Sequence, residues 1–239
     1  MDINNFKELM RKNLKELNIE LSDLQIEQFY QYMNILIEWN KVMNLTGITE
    51  PEEIITKHFI DSLTVLNKID KYDKIIDVGT GAGFPGIPIK IALPEKKIVL
   101  LDSLNKRIKF LREVINLLKL NNIETIHGRA EDYGKDKKHR EMYDISIARA
   151  VAPLNILSEY LMPFVKVGGK CLCMKGVNSE EEISLSKRAI EKLGGKLIYT
   201  EEFLIPNTDM KRKIVEIEKI KNTEEKYPRK AGIPSKEPL

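Results

Sequence analysis

The chain has 239 residues, room for one sizeable α/β domain with a small appendage. Its 42% hydrophobic and 31% charged residues are ordinary for a soluble globular protein, and 39 basic against 36 acidic residues give no overall cationic field that would announce a nucleic-acid binder. No apolar run approaches the ~20 residues that cross a bilayer, and the N-terminal MDINNFKELMRKNLKEL interleaves charge throughout, which excludes a signal peptide or anchor.

Residues 1–70 read as a helical extension. Ser22 with Gln25 forms a capping-box pattern, and Phe29, Met33, Leu36, Asn40 and Met43 follow as one stripe at helical spacing. Thr49 with Glu52, and Pro51 between them, predict a second helix start. Ile54, Ile55, His58, Ser62, Val65 and Leu66 then share a face. His58, Asp61 and Ser62 resemble a hydrolytic triad in composition only, since no G-x-S-x-G turn presents a nucleophile. They are read as hydrogen-bond partners that dock the extension. Asn40 and Asn44 share that role or line the substrate side, and Trp39 is read as packing.

From residue 71 to 221 strand-like and helix-like segments alternate. KIIDVG, KIVLLD, IETIHG, YDISIARA, KCLCMKG, KLIYTEEFLIP and KRKIVEIEKI predict seven strands, with Gly168-Gly169 as a turn before the fifth. Leu104, Ile108, Leu111, Ile115 and Leu118 mark the apolar face of a helix between the second and third. The fold class expected is a doubly wound, Rossmann-like α/β sheet, mostly parallel, with one of the last two strands antiparallel across a turn at Pro206-Asn207. Residues 222–239, rich in Lys, Glu and Pro, read as an extended basic tail. Cys171 and Cys173 fall on one face of a core strand, as packing residues of a cytoplasmic protein. His58, His127 and His139 lie far apart, so no metal site is expected.

Ile75-Ile76-Asp77-Val78-Gly79-Thr80-Gly81-Ala82-Gly83 carries the most information. Glycines after a strand let the backbone turn tightly and approach a ligand, at the strand end where such sheets bind cofactors. Gly79, Gly81 and Gly86 would loosely fit a nicotinamide oxidoreductase. Asp77, two residues before Gly79, instead suits the cationic amino-acid end of S-adenosylmethionine, directly or through water, and would repel a pyrophosphate. Pro85 and Pro88 also remove N–H donors that a pyrophosphate would use. Asp102 ends the second strand within reach of a ribose, Ala130 and Glu131 follow the third, beside an adenine edge, and Arg149 ends the fourth.

Taken together, EWNKVMNLTGI, KHFIDSL, DVGTGAGFPGIPIKI, GRAEDY, ARAVAPL and YPRKAGIPSKEPL resemble the bacterial small-subunit ribosomal RNA guanine-N7 methyltransferases, the glucose-inhibited division protein B family, over nearly the whole chain. The resemblance implies a class I S-adenosylmethionine-dependent fold of seven strands with an N-terminal helical extension. It implies cofactor contacts at Gly79, Phe84, Ala130, Glu131 and Arg149, with Gly81 and Asp77 in the loop and Asp102 on the ribose. Basic residues near the substrate fall at Arg129 and Arg212, and the substrate implied is 16S ribosomal RNA or the small subunit.

Guanine N7 has an exposed lone pair and needs no deprotonation, so no general base is required and no catalytic residue stands out beyond Arg149 and Arg212 as orienting groups. The sequence lacks the Asn/Asp-Pro-Pro-aromatic tetrapeptide of amine methylation after the fourth strand, and its cysteines are not in a loop. RNA phosphates would meet local clusters: Lys106, Arg107, Lys109 and Arg112, then Lys211-Arg212-Lys213, then Lys226, Arg229, Lys230 and Lys236. The competing readings are the nicotinamide oxidoreductase and a non-catalytic RNA-binding protein of ribosome assembly.

Overall fold

A computed structural model of the protein describes residues 1–176 and 180–239. Its centre is a seven-stranded sheet in the order β3-β2-β1-β4-β5-β7-β6. The strands are β1 (Lys74–Val78), β2 (Lys97–Asp102), β3 (Ile123–His127), β4 (Tyr143–Arg149), β5 (Val165–Lys175), β6 (Gly195–Leu204) and β7 (Lys211–Lys219). The first five pair in parallel, and β7 inserts antiparallel between β5 and β6. Winding reverses between β1 and β4, which places a crevice at their carboxyl ends.

Period-two alternation sorts the strand side chains into two cores. Ile75, Ile98, Leu100, Ile145, Ile147 and Leu172 face one side, where they meet α1 (Ile3–Glu16), α2 (Asp23–Met43) and the helices Gly86–Ala92 and Asn105–Leu117. Ile76, Val99, Leu101, Ala148, Cys171 and Cys173 face the other, against the helices Leu154–Leu161 and Glu180–Lys192. Burial pushes both thiols up, that of Cys171 to about 11, so each acts as packing.

The N-terminal helices share the first core. The Ser22–Gln25 capping box forms, and Gln25 Nε2 also donates to Ile91 O (2.8 Å), tying the start of α2 to the helix behind the glycine loop. The second helix starts one residue later than Thr49 would place it. Pro51 occupies its first turn, so Glu50 becomes the cap residue, without a side-chain bond. Its middle, Ile54–Ile60, is a π-helix.

Three further expectations are corrected. Gly168-Gly169 lies inside β5, as an irregularity where the pairing steps from Tyr143↔Val165 to Ile145↔Lys170. On Asn105–Leu117 the buried face is Ile108, Phe110, Leu111 and Val114, while Leu104 is exposed, because it precedes the helix as its cap. The last 18 residues are not an extended tail. They fold back as a strap ending in the short helix Ile233–Lys236, because the Arg140 guanidinium gathers the carbonyls of Thr223, Glu224 and Tyr227 at 2.6–3.2 Å, and Tyr227 is buried.

Candidate cofactor and substrate cleft

The loop after β1 turns back immediately: Gly79 N–H and Thr80 N–H both donate to Leu101 O of β2. Gly79 adopts φ +73°, and a Cβ there would stand 2.9 Å from Val151 Cγ2. The left-handed backbone alone costs an L side chain about 1–2 kcal/mol. Gly79→Ala is therefore expected to weaken cofactor binding at least about tenfold, as read by isothermal titration. Gly86 is needed for a different reason, since a Cβ would meet Leu100 Cδ2 at 2.3 Å and Asp77 Oδ2 at 2.8 Å.

Asp77 sits elsewhere than expected. Alternation along β1 turns its side chain away from the crevice and beneath the loop, fully buried, where Oδ2 accepts from Thr80 Oγ1 (2.6 Å) and Gly86 N (2.8 Å). It lines none of the crevice cavities; it holds the loop's shape. Burial raises its pKa to about 7, against the opposing effect of those hydrogen bonds. A carboxyl whose folded pKa is raised stabilises fully below its unfolded value and loses that contribution as pH rises through the folded one. Wild-type stability should thus decline between about pH 4 and 7 through this residue, and Asp77→Asn should flatten that slope in urea unfolding at several pH values. An unchanged slope would remove Asp77 from the account.

Three cavities follow one another along the carboxyl edge of the sheet. The first lies between Asp102, Ala130, Glu131, Val151 and Tyr160. It shares Gly79, Asp102, Ser103 and Val151 with the second, of about 430 Å³, whose walls add Thr46, His58, Phe84 and Arg107. The second shares His58, Arg149 and Ala150 with the third, of about 290 Å³, which runs under β5, β6 and β7 past Asp61, Met174, Phe203 and Arg212. Ala150, at the junction, has φ +53° and turns the chain sharply out of β4.

Asp102 is buried at the end of β2 and organises the first two cavities. Its Oδ2 accepts from Gly81 N (2.9 Å) and Arg107 Nη1 (3.2 Å), and Oδ1 from Leu104 N (2.9 Å). Ala130 and Glu131 open the short helix Ala130–Tyr133, whose first N–H groups have no partner within the helix. Glu131 Oε1 accepts from Gly232 N of the strap (2.9 Å), which orients the carboxylate. Tyr160, in the same wall, meets Ser235 Oγ at 2.9 Å. The set of a carboxylate at a strand end, a glycine loop and a helix start fits a nucleoside with an amino-acid arm, as the expected sulfonium cofactor has.

Arg149 is the centre of the far end. Its Nη1 donates to Lys57 O (3.0 Å) and Asp61 Oδ2 (2.9 Å), and its Nη2 to His58 Nδ1 (2.9 Å). The arginine has no lone pair to offer, so Nδ1 must accept and Nε2–H donates to Thr46 Oγ1 (2.8 Å). Burial, aided by the Arg149 charge, lowers the His58 pKa to about 3 and keeps the ring neutral. That ring stacks on Phe84 at 4.4 Å, and the guanidinium lies 4.9 Å from the Phe84 centroid. His58 and Asp61 thus dock the extension through Arg149, as expected, and both also line the cleft, whereas the Ser62 hydroxyl donates to His58 O within its own helix. The exposed carbonyls of a π-helical segment supply part of the Arg149 cradle. Asn40 fixes the loop that carries Thr46, accepting from Leu45 N and Thr46 N, while Trp39 packs edge-on against Phe110.

The predicted RNA contacts separate into two groups. Arg212 reaches the cleft, with Nε 3.4 Å from Asp61 Oδ1; Arg129 lines the first cavity; Lys211 and Lys230 are exposed. Arg229 is corrected. Its Nε and Nη2 grip buried Glu159 at 2.9 and 2.6 Å, so its charge is spent inside the molecule. Arg107 is likewise paired with Asp102. Tyr32 was hidden within the stripe of α2, yet it is fully buried and its hydroxyl donates to Ala82 O of the glycine loop. Its i+3 spacing from Phe29 was the available signal. Among the described residues no cluster of His, Cys, Asp or Glu could hold a metal, and no helix is long and apolar enough to cross a membrane.

Comparison with known proteins places this site in context. A family model described as GidB, rRNA small subunit methyltransferase G, matches residues 25–214. The ribosomal RNA small subunit methyltransferase G of Alkaliphilus metalliredigens is 50% identical, covering 98% of each chain. That of Acetivibrio thermocellus is 54% identical over 98% of this chain and 96% of its own. In fold, the chain is similar to M. jannaschii TYW2 in complex with AdoMet (TM-score 0.51, 21% identity, 67% of this chain and 77% of that one). It is also similar to the YcgJ protein of Bacillus subtilis (TM-score 0.51, 13% identity, 67% and 99%).

Proposed function

Since this chain belongs to the rRNA small subunit methyltransferase G family, we propose that it methylates N7 of a guanine in 16S ribosomal RNA, in the cytoplasm. It is an S-adenosylmethionine-dependent methyltransferase of ribosomal RNA of the small subunit. The observation that supports the finer reading is the run of three cavities, in which the first two share Gly79 and Asp102 as a nucleoside-sized pair and the third, a separate chamber, joins the second at Arg149 and Ala150. Gly79, Gly81, Phe84, Asp102, Ala130, Glu131 and Arg149 are assigned to the cofactor, with Asp77 shaping the loop. Arg129, Lys211, Arg212 and Lys230 are assigned to the RNA approach.

Bound S-adenosylmethionine supplies an electrophilic methyl group on sulfur. The protein's own task is to hold a neutral ring nitrogen in line with it. Fixing both reactants can supply roughly 7–11 kcal/mol of the barrier without any proton transfer. The neutral His58 stacked on Phe84 and the fork of Arg149 make a rigid wall at the junction, and none of them needs to change protonation. Labelled S-adenosylmethionine should mark 16S ribosomal RNA, naked or in the small subunit, and nucleoside mass analysis should find the label as 7-methylguanosine. Label on another base or position would sink the assignment to N7.

A further inference from the structure

Asp61 is 3% exposed and sits in the wall of the third cavity. Its Oδ2 is taken by Arg149, but its buried Oδ1 has no hydrogen-bond partner among the described residues. Arg212 Nε stands 3.4 Å away, and among the described residues the hydrogen bonds of Arg212 are local, to Lys211 O (3.2 Å) and Met210 Sδ (3.9 Å). An unfilled acceptor on a buried carboxylate is costly unless something completes it. Ile48, Met174, Phe203 and Ile214 give the cavity apolar walls that suit the faces of a base, with Lys57, Lys175 and Lys213 also in its lining. A base taken out of its stack is read in this way, by apolar faces and by hydrogen bonds along its Watson–Crick edge.

We propose that the third cavity is the subsite for the target base, and that Asp61 is its specificity-determining residue, reading the N1–H and N2–H donors of guanine. This rests on the methyltransferase reading above and adds the place where the base sits and the residue that selects it. Guanine alone among the common bases presents two adjacent donors with a carbonyl beside them. Adenine and cytosine offer a lone pair next to one amino group, and uracil a single N–H between two carbonyls. As the base enters, its donors replace Arg212 at Oδ1, and the released guanidinium faces O6. The opposite edge, with N7, is left toward Ala150, where the third cavity joins the second.

The test uses the full-length protein and 16S ribosomal RNA carrying either guanosine or inosine at the methylated position, joined from a synthetic segment. Inosine keeps N7 and O6 and lacks only the N2 amino group. Wild type should methylate the inosine RNA about 10- to 100-fold less efficiently, the range for one hydrogen bond to a charged group. Asp61→Asn should lose most of its activity on guanosine RNA through KM and should prefer guanosine over inosine by less than about threefold, with S-adenosylmethionine affinity held within about twofold. Equal methylation of both RNAs by wild type overturns the assignment without needing any variant. So does a variant that keeps the preference, or one that binds RNA more tightly while keeping it, which would mark the cavity as a backbone phosphate site. If wild type labels neither RNA while binding the cofactor, the methyltransferase reading itself fails.

Discussion

Arg149→Ala is expected to cost about 3–5 kcal/mol of stability and to lower methyl transfer at least about 10²-fold. The stability loss follows from what the guanidinium leaves behind. Asp61 is buried, and its other cation among the described residues, Arg212, sits at 3.4 Å without a hydrogen bond. Breaking a buried pair from one side strands the remaining charge, which is worse than never having had the pair. His58 Nδ1 and the Lys57 carbonyl lose their donor at the same time. Burial already pushes the Asp61 carboxyl up, and removing one of the two cations that oppose this pushes it further. The deficit of the variant should therefore widen as pH rises and shrink in acid, where the carboxyl is protonated in both states. The loss of transfer follows from geometry, because the helix 51–63 and the end of β4 are held together through this side chain. Arg149→Lys should recover part of the stability but little of the activity, since an ammonium cannot span three acceptors in a plane. Urea unfolding between pH 5 and 8 together with methyl incorporation checks both parts. A variant within about 1 kcal/mol of wild type would show that the pair is not the hinge of this cleft.

The second large effect is expected from Arg229→Ala. Glu159 is buried and its two oxygens accept a fork from Arg229 and a backbone bond from Arg229 N (2.7 Å). Arg229 is itself partly exposed, so the loss should fall toward the lower end, about 3 kcal/mol, and should concentrate in the strap. Gly232 N and Ser235 Oγ, which steady Glu131 and Tyr160 in the first cavity, lie within six residues of the lost anchor. Affinity for S-adenosylmethionine should drop as the strap loosens. The salt dependence of RNA binding should stay as it was, whereas deleting a phosphate contact would lower the slope by about 0.7–0.9. A reduced slope with unchanged cofactor affinity would return Arg229 to the RNA surface.

These residues also mark where sequence reading succeeds and where it stops. The seven strands and the two faces of the sheet follow from short-range alternation, and the capping box of α2 from a four-residue pattern, so these are legible, whereas the order of the strands within the sheet is set by long-range pairing. The glycine loop is legible because a strand followed by glycines has few other uses. Asp77 was read by its neighbourhood instead of its parity: counting by twos along β1 puts it with Ile75, away from the crevice. The strap was read by composition, and its lysines and prolines hide the fact that Arg140 and Glu159, some seventy to eighty-seven residues earlier, are waiting for it. Basic clusters mislead for the same reason, since Arg107 and Arg229 answer to distant carboxylates or neighbours across a turn. Asp61 was seen, but its unfilled oxygen is a property of packing and has no signature in one dimension.

The strap has a consequence for the order in which the molecule is made. Glu131 is completed by Gly232, 101 residues later, and Tyr160 by Ser235, 75 residues later. A growing chain therefore lays down its whole sheet before it owns the wall of the first cavity. The nascent protein emerges as a scaffold that is nearly finished and still open at one end. Only when Gly232 and Ser235 have cleared the exit tunnel can the wall be closed, so competence to hold the cofactor follows the completed sheet and does not grow gradually with it.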